Sequence, residues 1–297
     1  MKLLREITCK VKKMKHTCFS HPIKSLQLKV SYLPELISLT NESVEKIENQ
    51  IKSAKTLSDL TKIDCTEPEF EVDIDSLYTE CDLDPRTCNQ ILDELDLEQY
   101  ELKRKLNRLI YTIRNYRDVF EAVVSRYKFT CDSLDHHYFN IGYDKENKLI
   151  CVTYELSDFD PDSISNPTLY LSFGKLHGRN PSRMYLSYNS NGSLIINDFF
   201  SIEKNLGHGS FMLNSLLQLV PLLNEKIAQH NLNTFNELGR EKFCSWEEYQ
   251  QKPALYKMPI RVIRGTIRPL EDHKLEDLKR FYNRNGFLKN DRLYKEV

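Results

Sequence analysis

The pattern of apolar and polar positions changes character near residue 130. Before that point apolar residues recur every three or four positions, the period of a helix that buries one face. Val44, Ile47, Ile51, Ala54, Leu57 and Leu60 form one such row, with Thr40 or Asn41 as the expected N-cap. Pro68 and the acids around it read as a loop. Asp84-Pro85 is a helix start signal, an N-cap acid followed by proline at the first helical position, and the helix it opens carries Ile91, Leu92 and Leu95. The strongest row is Leu102, Leu106, Leu109, Ile113, Tyr116, Phe120, Val123 and Tyr127, whose steps of four and three make a heptad stripe. Lys103, Lys105, Arg114 and Arg117 lie off the stripe. The stripe needs a cover: the earlier helices, the C-terminal domain, or a second copy. A homodimer through the helix 102–127 is therefore one expectation.

After Cys131 short runs of β-branched and aromatic residues take over, separated by turn residues. Runs at His137–Tyr143 and Leu149–Leu156 flank the polar turn Lys145–Lys148 and predict a hairpin. Thr168–Phe173 and Met184–Tyr188 follow; Ser190-Asn191-Gly192 is a tight-turn signal before a strand at Leu194–Phe200. A helix is expected from Ser210, bent or ended by Pro221, with a second helical stretch over Asn224–Tyr249 broken near Gly239. Ile260–Ile267 reads as a strand. Asp272 is the expected cap of a last helix carrying Leu275, Leu278, Phe281 and Tyr282, with Gly286 as its C-cap glycine and a closing strand at Leu293–Val297. The fold class expected is α+β: a mixed, mostly antiparallel sheet flanked by helices over residues 131–297, behind a mainly helical N-terminal region over residues 1–130.

Composition narrows the function classes. The chain has 297 residues, 40% of them hydrophobic and 29% charged, and a net charge of −1. No global field favours nucleic acid, and no run is apolar enough to span a bilayer. The basic start MKLLREITCKVKKMK lacks the apolar core of a secretory signal, so a cytoplasmic location is the expectation, with neither nucleic acid nor membrane as partner. Few aromatics interleave its lysines. Acids dominate between Asp64 and Glu98, and read as a solvated face. The 8 cysteines are scattered without a Cys-x-x-Cys pair and read as reduced structural residues. Cys9, His16, Cys18 and His21 fit no standard zinc spacing, so no metal is expected.

Chemistry concentrates at the turn Lys204-Asn205-Leu206-Gly207-His208-Gly209-Ser210 between a strand and a helix. Gly207 and Gly209 allow a tight turn and close approach of a ligand. The free N–H groups of the helix start, backed by the helix dipole, seat a phosphate or pyrophosphate there. Lys204 adds positive charge and Ser210 a hydroxyl. The turn is neither a P-loop nor a dinucleotide fingerprint.

Later in the chain, Phe281-Tyr282-Asn283-Arg284-Asn285-Gly286-Phe287 ends a helix that follows the strand Ile263–Ile267. With the turn Lys204-x-x-Gly207-x-Gly209, this segment resembles the GNAT superfamily of N-acetyltransferases. That family's first core motif ends in Arg/Gln-x-x-Gly-x-Gly/Ala at a helix start, and its second ends in Phe-Tyr-x-x-x-Gly-Phe. The chain departs at Lys204, at Asn205 where glycine is often found, and in the long Asn224–Met258 connection. The resemblance covers residues from about Asp132 to the C-terminus.

The resemblance implies acetyl-CoA as cosubstrate and direct attack of an amine on its thioester in a ternary complex. Phe199, Phe200 and Ser201 would face the pantetheine arm. Lys204, Asn205, Leu206, Gly207, His208, Gly209 and Ser210 would hold the pyrophosphate, mostly through backbone N–H groups. Tyr282 matches the family tyrosine assigned as general acid to the thiolate, and Asp198 is the first candidate for general base, with Glu203 or water as alternatives. His208, in the turn, is a weaker candidate. The acceptor is a small-molecule or protein amine; Asp158, Asp160 and Asp162 could attract it. The competing expectation is a catalytically inactive GNAT-like interaction or regulatory protein that acts through its helical N-terminal region.

Overall fold

A computed structural model of the chain describes residues 22–67, 85–127, 137–162, 168–173, 182–239, 242–243, 245–268 and 274–297. The basic N-terminus with Cys9, His16, Cys18 and His21, most of the acidic stretch, and the Asp272 cap lie outside these. The chain forms two compact units: residues up to Ser53 with Ile63–Arg117, and Ala54–Lys62 with Asp118–Val297.

The first unit is built on two long helices, α1 (Pro22–Ser53) and the front of α3 (Pro85–Tyr127). Helix α1 begins well before the expected cap at Thr40 or Asn41. Thr40 is an interior residue whose hydroxyl donates to the Leu36 carbonyl at 2.7 Å, one turn back, and so no longer caps anything. Leu33, Leu36 and Ile37 on α1 pack with Leu106 on α3, and Leu102, Leu109 and Ile110 flank them. That burial holds α1 helical across Pro34, which lacks the N–H of an interior position. The Tyr116 hydroxyl donates to Glu48 at 2.9 Å, and Glu67 receives Arg114 at 2.6 Å and Arg117 at 3.0 Å. The heptad stripe thus finds its cover inside the chain: Leu106, Ile113, Tyr116, Phe120, Val123 and Tyr127 are all buried. A homodimer through 102–127 would have to uncover them. Helix α3 is described from Pro85 and runs unbroken to Tyr127; its expected cap, Asp84, lies outside the described residues.

In the second unit a short helix, α2 (Leu57–Thr61), has a complete capping box. The Asp59 N–H donates to the Thr56 hydroxyl and the Thr56 N–H returns to the Asp59 carboxylate. The row ending in Leu57 and Leu60 is therefore split between two helices.

The body of this unit is an eight-stranded sheet in the order β1-β2-β3-β4-β5-β6-β8-β7. The strands are β1 (His137–Tyr143), β2 (Leu149–Glu155), β3 (Thr168–Ser172), β4 (Ser182–Asn189), β5 (Ser193–Phe200), β6 (Val262–Gly265), β7 (Leu288–Lys289) and β8 (Arg292–Glu296). The first five form an antiparallel meander; among the described strands only β5 and β6 are parallel. A parallel pair needs a crossover. Here it is helix α4 (His208–Thr234), which runs through Pro221 without ending, followed by a π turn (Phe235–Gly239) and the short α5 (Trp246–Gln250). Met212, Leu213, Leu216, Leu219 and Leu223 of α4 are fully buried against Val152, Leu169, Leu171, Met184 and Leu194 on one sheet face. Buried Asn231 and part-buried Asn224 then fix the return path. Each makes a two-way bond with the backbone leading into β6, at Lys257 and Ile260. Helix α6 (Leu275–Arg284) lies between β6 and the closing β7–β8 hairpin.

Candidate functional site

The parallel pairing of β5 with β6 stops at Ile196–Gly265, while β5 runs on to Phe200. Among the described residues the last part of β5 therefore keeps one strand neighbour, β4. Its register against β4 slips between Tyr185 and Leu186, which pair with Asp198 and Ile196. Asn197 is the extra residue of a β-bulge. The bulge breaks the in–out alternation, so consecutive Asn197 and Asp198 are both exposed.

The chain then enters the turn. The Ile202 N–H donates to the Ser182 hydroxyl at 3.0 Å, and the Ser201 hydroxyl donates to the Glu203 carbonyl at 3.2 Å. Asn205 and Gly207 both adopt left-handed backbone, with φ of 66° and 91°. Two such residues so close reverse the chain sharply and set Gly207 as the N-cap of α4. No acid stands in the first turn of α4. Lys204 and Asn205 are exposed, and Leu206, Gly207, Gly209 and Ser210 half-buried. The first turn of α4 thus carries the positive partial charge of a helix start with no acid of its own in that turn.

His208 points inward and is fully buried. Its Nε2 lies 3.5 Å from the buried Asp144 carboxylate, and its ring packs against that of Phe173, centroids 4.5 Å apart and planes tilted by 55°. Asp144 sits in the turn between β1 and β2, where its Oδ1 also accepts the N–H groups of Glu146 and Lys148. The neighbouring Lys145 N–H donates to the Leu206 carbonyl at 3.1 Å. The β1–β2 turn therefore braces the start of α4 from behind. In the sequence Lys145 shows only as part of a polar turn, and Asp144 carries no signal of its own.

The Phe-Tyr-x-x-x-Gly-Phe block is the end of α6. The Phe287 N–H donates to the Tyr282 carbonyl at 2.8 Å and the Gly286 N–H to that of Asn283 at 2.9 Å, with Gly286 at φ 71°. This bond pair is a Schellman motif, and it requires glycine at that place. Phe287 is fully buried beneath it. Phe281 faces Phe199 of β5, ring centroids 6.2 Å apart. Tyr282 is 8% exposed. Burial, and secondarily the charge of Asp198, push its phenol up to about 12. The two candidate catalytic residues, far apart in sequence, thus come within electrostatic reach of each other beside the end of β5.

Other candidates fall away from this place. Asp162 is taken by Lys257 at 2.6 Å and His230 at 3.3 Å. Asp160, Asp162 and His230 are close enough to share a cation, but the lysine ammonium already neutralises Asp162. Burial raises the Cys65 thiol to about 11 and the Cys151 thiol to about 12, so both stay protonated and inert. Among the described residues no helix is long and apolar enough to cross a membrane.

Fold and site together define a mixed α/β unit in which a parallel strand pair opens onto a glycine turn and the start of a long helix. Comparison of the chain with protein-family models, with curated proteins and with solved structures finds no match.

Proposed function

We propose that residues 131–297 form an acetyl-CoA-dependent N-acetyltransferase, a GNAT-like domain that transfers an acetyl group to an amine by direct attack. One observation carries the reading. The separation of β5 from β6 after Ile196–Gly265 is followed at once by the left-handed turn into α4, and the charge of Asp198, on that last part of β5, is felt by the Tyr282 phenol.

In this reading the N–H groups of the α4 start hold the pyrophosphate, with Lys204 nearby, and the open edge of β5 at Phe199–Ser201 takes the pantetheine arm. Acetyl-CoA supplies an acyl thioester. Asp198 accepts the proton that the acceptor ammonium must lose before its nitrogen can form the new C–N bond. Tyr282 gives its proton to the sulfur as the C–S bond breaks. A phenol held near 12 keeps that proton at neutral pH until a strong base develops next to it.

The test is calorimetric titration of the full chain with acetyl-CoA, followed by acetyl transfer to a panel of amines. Saturable binding and turnover are expected. Absence of binding would sink the proposal; binding without transfer to any amine would favour an inactive, CoA-binding interaction protein.

A further inference from the structure

The sheet face turned away from α4 carries an arrangement of which the proposed acetyltransferase site uses only Asp198 and Phe200. Antiparallel partners point to the same face. Thr153, Tyr170, Arg183 and Phe200 therefore form one row across β2, β3, β4 and β5, with Tyr185 and Asp198 paired in the adjacent row. Two guanidiniums pack on the rings of this face. Arg126, from the last turn of α3, lies over the Tyr170 ring at 4.4 Å from its centroid. Arg183, beside Tyr170 on the next strand, lies 5.4 Å from the Tyr185 ring and 5.9 Å from that of Phe200. The buried Nη1 of Arg126, the buried Nε of Arg183 and the buried hydroxyl of Ser172 make no hydrogen bond. Among the described residues no carboxylate pairs with either arginine. Burial accordingly holds the Arg126 guanidinium below its ordinary value.

Buried guanidinium N–H groups without an acceptor are costly unless an acceptor joins them. Guanidiniums fit carboxylate and phosphate oxygens. Asp198 is the diagonal neighbour of Arg183 across β4 and β5, about 7–8 Å away.

We propose that Arg183 and Arg126, with Ser172, bind the carboxylate or phosphate of a small molecule that also carries an amine. Its amine then reaches Asp198, so the acceptor is a compact zwitterion rather than a plain amine or a polyamine. The placement of the amine rests on the acetyltransferase reading; the anion site does not.

Calorimetric titration with β-alanine, 2-aminoethyl phosphate and propylamine tests the site without any turnover. Propylamine matches β-alanine in length and lacks the oxyanion. At least tenfold tighter binding of one of the two oxyanion-bearing amines is expected, lost by tenfold or more in Arg183→Gln and in Arg126→Gln. Arg183→Lys keeps the charge and should recover part of the affinity, which guards against a folding artefact. No saturable binding of either compound, or binding indifferent to both arginines, overturns the proposal.

Acetyl transfer separates the two readings. Turnover of propylamine as efficient as that of both zwitterions overturns this inference and leaves the acetyltransferase standing. Arginine-dependent binding without acetyl-CoA binding upholds the anion site and removes the acetyltransferase.

Discussion

Gly209, at the start of α4, lies under the ring of Phe281 in α6: a Cβ on it would stand 3.0 Å from Phe281 Cζ and 3.5 Å from Phe199 Cζ. The two motif blocks are thus in direct packing contact, and Gly209 serves space more than dihedral freedom. Its backbone is not left-handed. Gly209→Val should destabilise the chain by roughly 1–3 kcal/mol, the usual cost of overpacking. Adding Phe281→Leu to that variant should recover part of the loss, because the ring tip is what the new side chain meets. Urea unfolding of the two single variants and the double gives the coupling energy. Strictly additive losses would mean that the two residues do not touch.

Gly207 is the opposite case. Its φ of 91° is left-handed, and the nearest atom to a Cβ would be Lys145 Cγ at 3.8 Å, ordinary contact distance. Strain alone should therefore act. Gly207→Ala is expected to cost about 1–2 kcal/mol, and Gly207→Asn distinctly less, because asparagine tolerates this region. Equal melting temperatures for the two variants would refute the strain argument. Gly207→Val should also abolish acetyl-CoA binding, which titration checks.

Local pattern made much of this architecture legible. β1 at His137–Tyr143 was read with its observed bounds, and β2, β3 and β5 to within one residue, because a half-buried meander writes itself as alternation and turn residues. The Gly286 C-cap was visible for the same reason: the bonds that need it are a few residues apart. What depended on tertiary burial was not legible. Helix α1 runs through Pro34 and Thr40 since Leu33, Leu36 and Ile37 find a partner in Leu106. Helix α4 runs through Pro221 inside a buried face. At the site, the turn and the Tyr282 block could be read from residue types. The bulge at Asn197 and the arginine row could not, since they exist only through strand register.

Asp144 offers a test of the brace behind the turn. Its Oδ1 accepts two backbone N–H groups, from Glu146 at 2.8 Å and Lys148 at 2.9 Å, and its Oδ2 faces His208. Asp144→Ala leaves these donors without the charged acceptor, and a loss of about 2–3 kcal/mol is expected. Asp144→Asn keeps one carbonyl acceptor and should lose less. Hydrogen exchange at the start of α4 should quicken in the alanine variant, because the β1–β2 turn is tied to Leu206 through Lys145. Unchanged exchange there would show that the turn does not brace the helix.

Tyr282 makes a prediction whose sign is fixed by burial. An unfolded tyrosine titrates near 10, and in the folded chain burial first, then Asp198, hold this phenol at about 12. Below pH 10 both states keep the proton, and the stability linked to it is fully present. As pH rises from 10 to 12 the unfolded chain gives up the proton while the folded chain retains it. Stability then falls with pH, by roughly 2–3 kcal/mol across the window. Phenylalanine has no proton to lose, so Tyr282→Phe removes this contribution. Urea midpoints of wild type and variant, measured at pH 8 and pH 11, should shift in the variant's favour at the higher pH. Other buried tyrosines such as Tyr138 and Tyr188 are common to both proteins and cancel in the difference. A difference independent of pH would mean that Tyr282 titrates as an exposed phenol and is unsuited to hold a proton for the thiolate. If it is the general acid, the same variant should lower turnover by about 10²-fold or more while acetyl-CoA affinity is kept. Wild-type turnover in Tyr282→Phe would remove the residue from the chemistry, whatever its effect on alkaline stability.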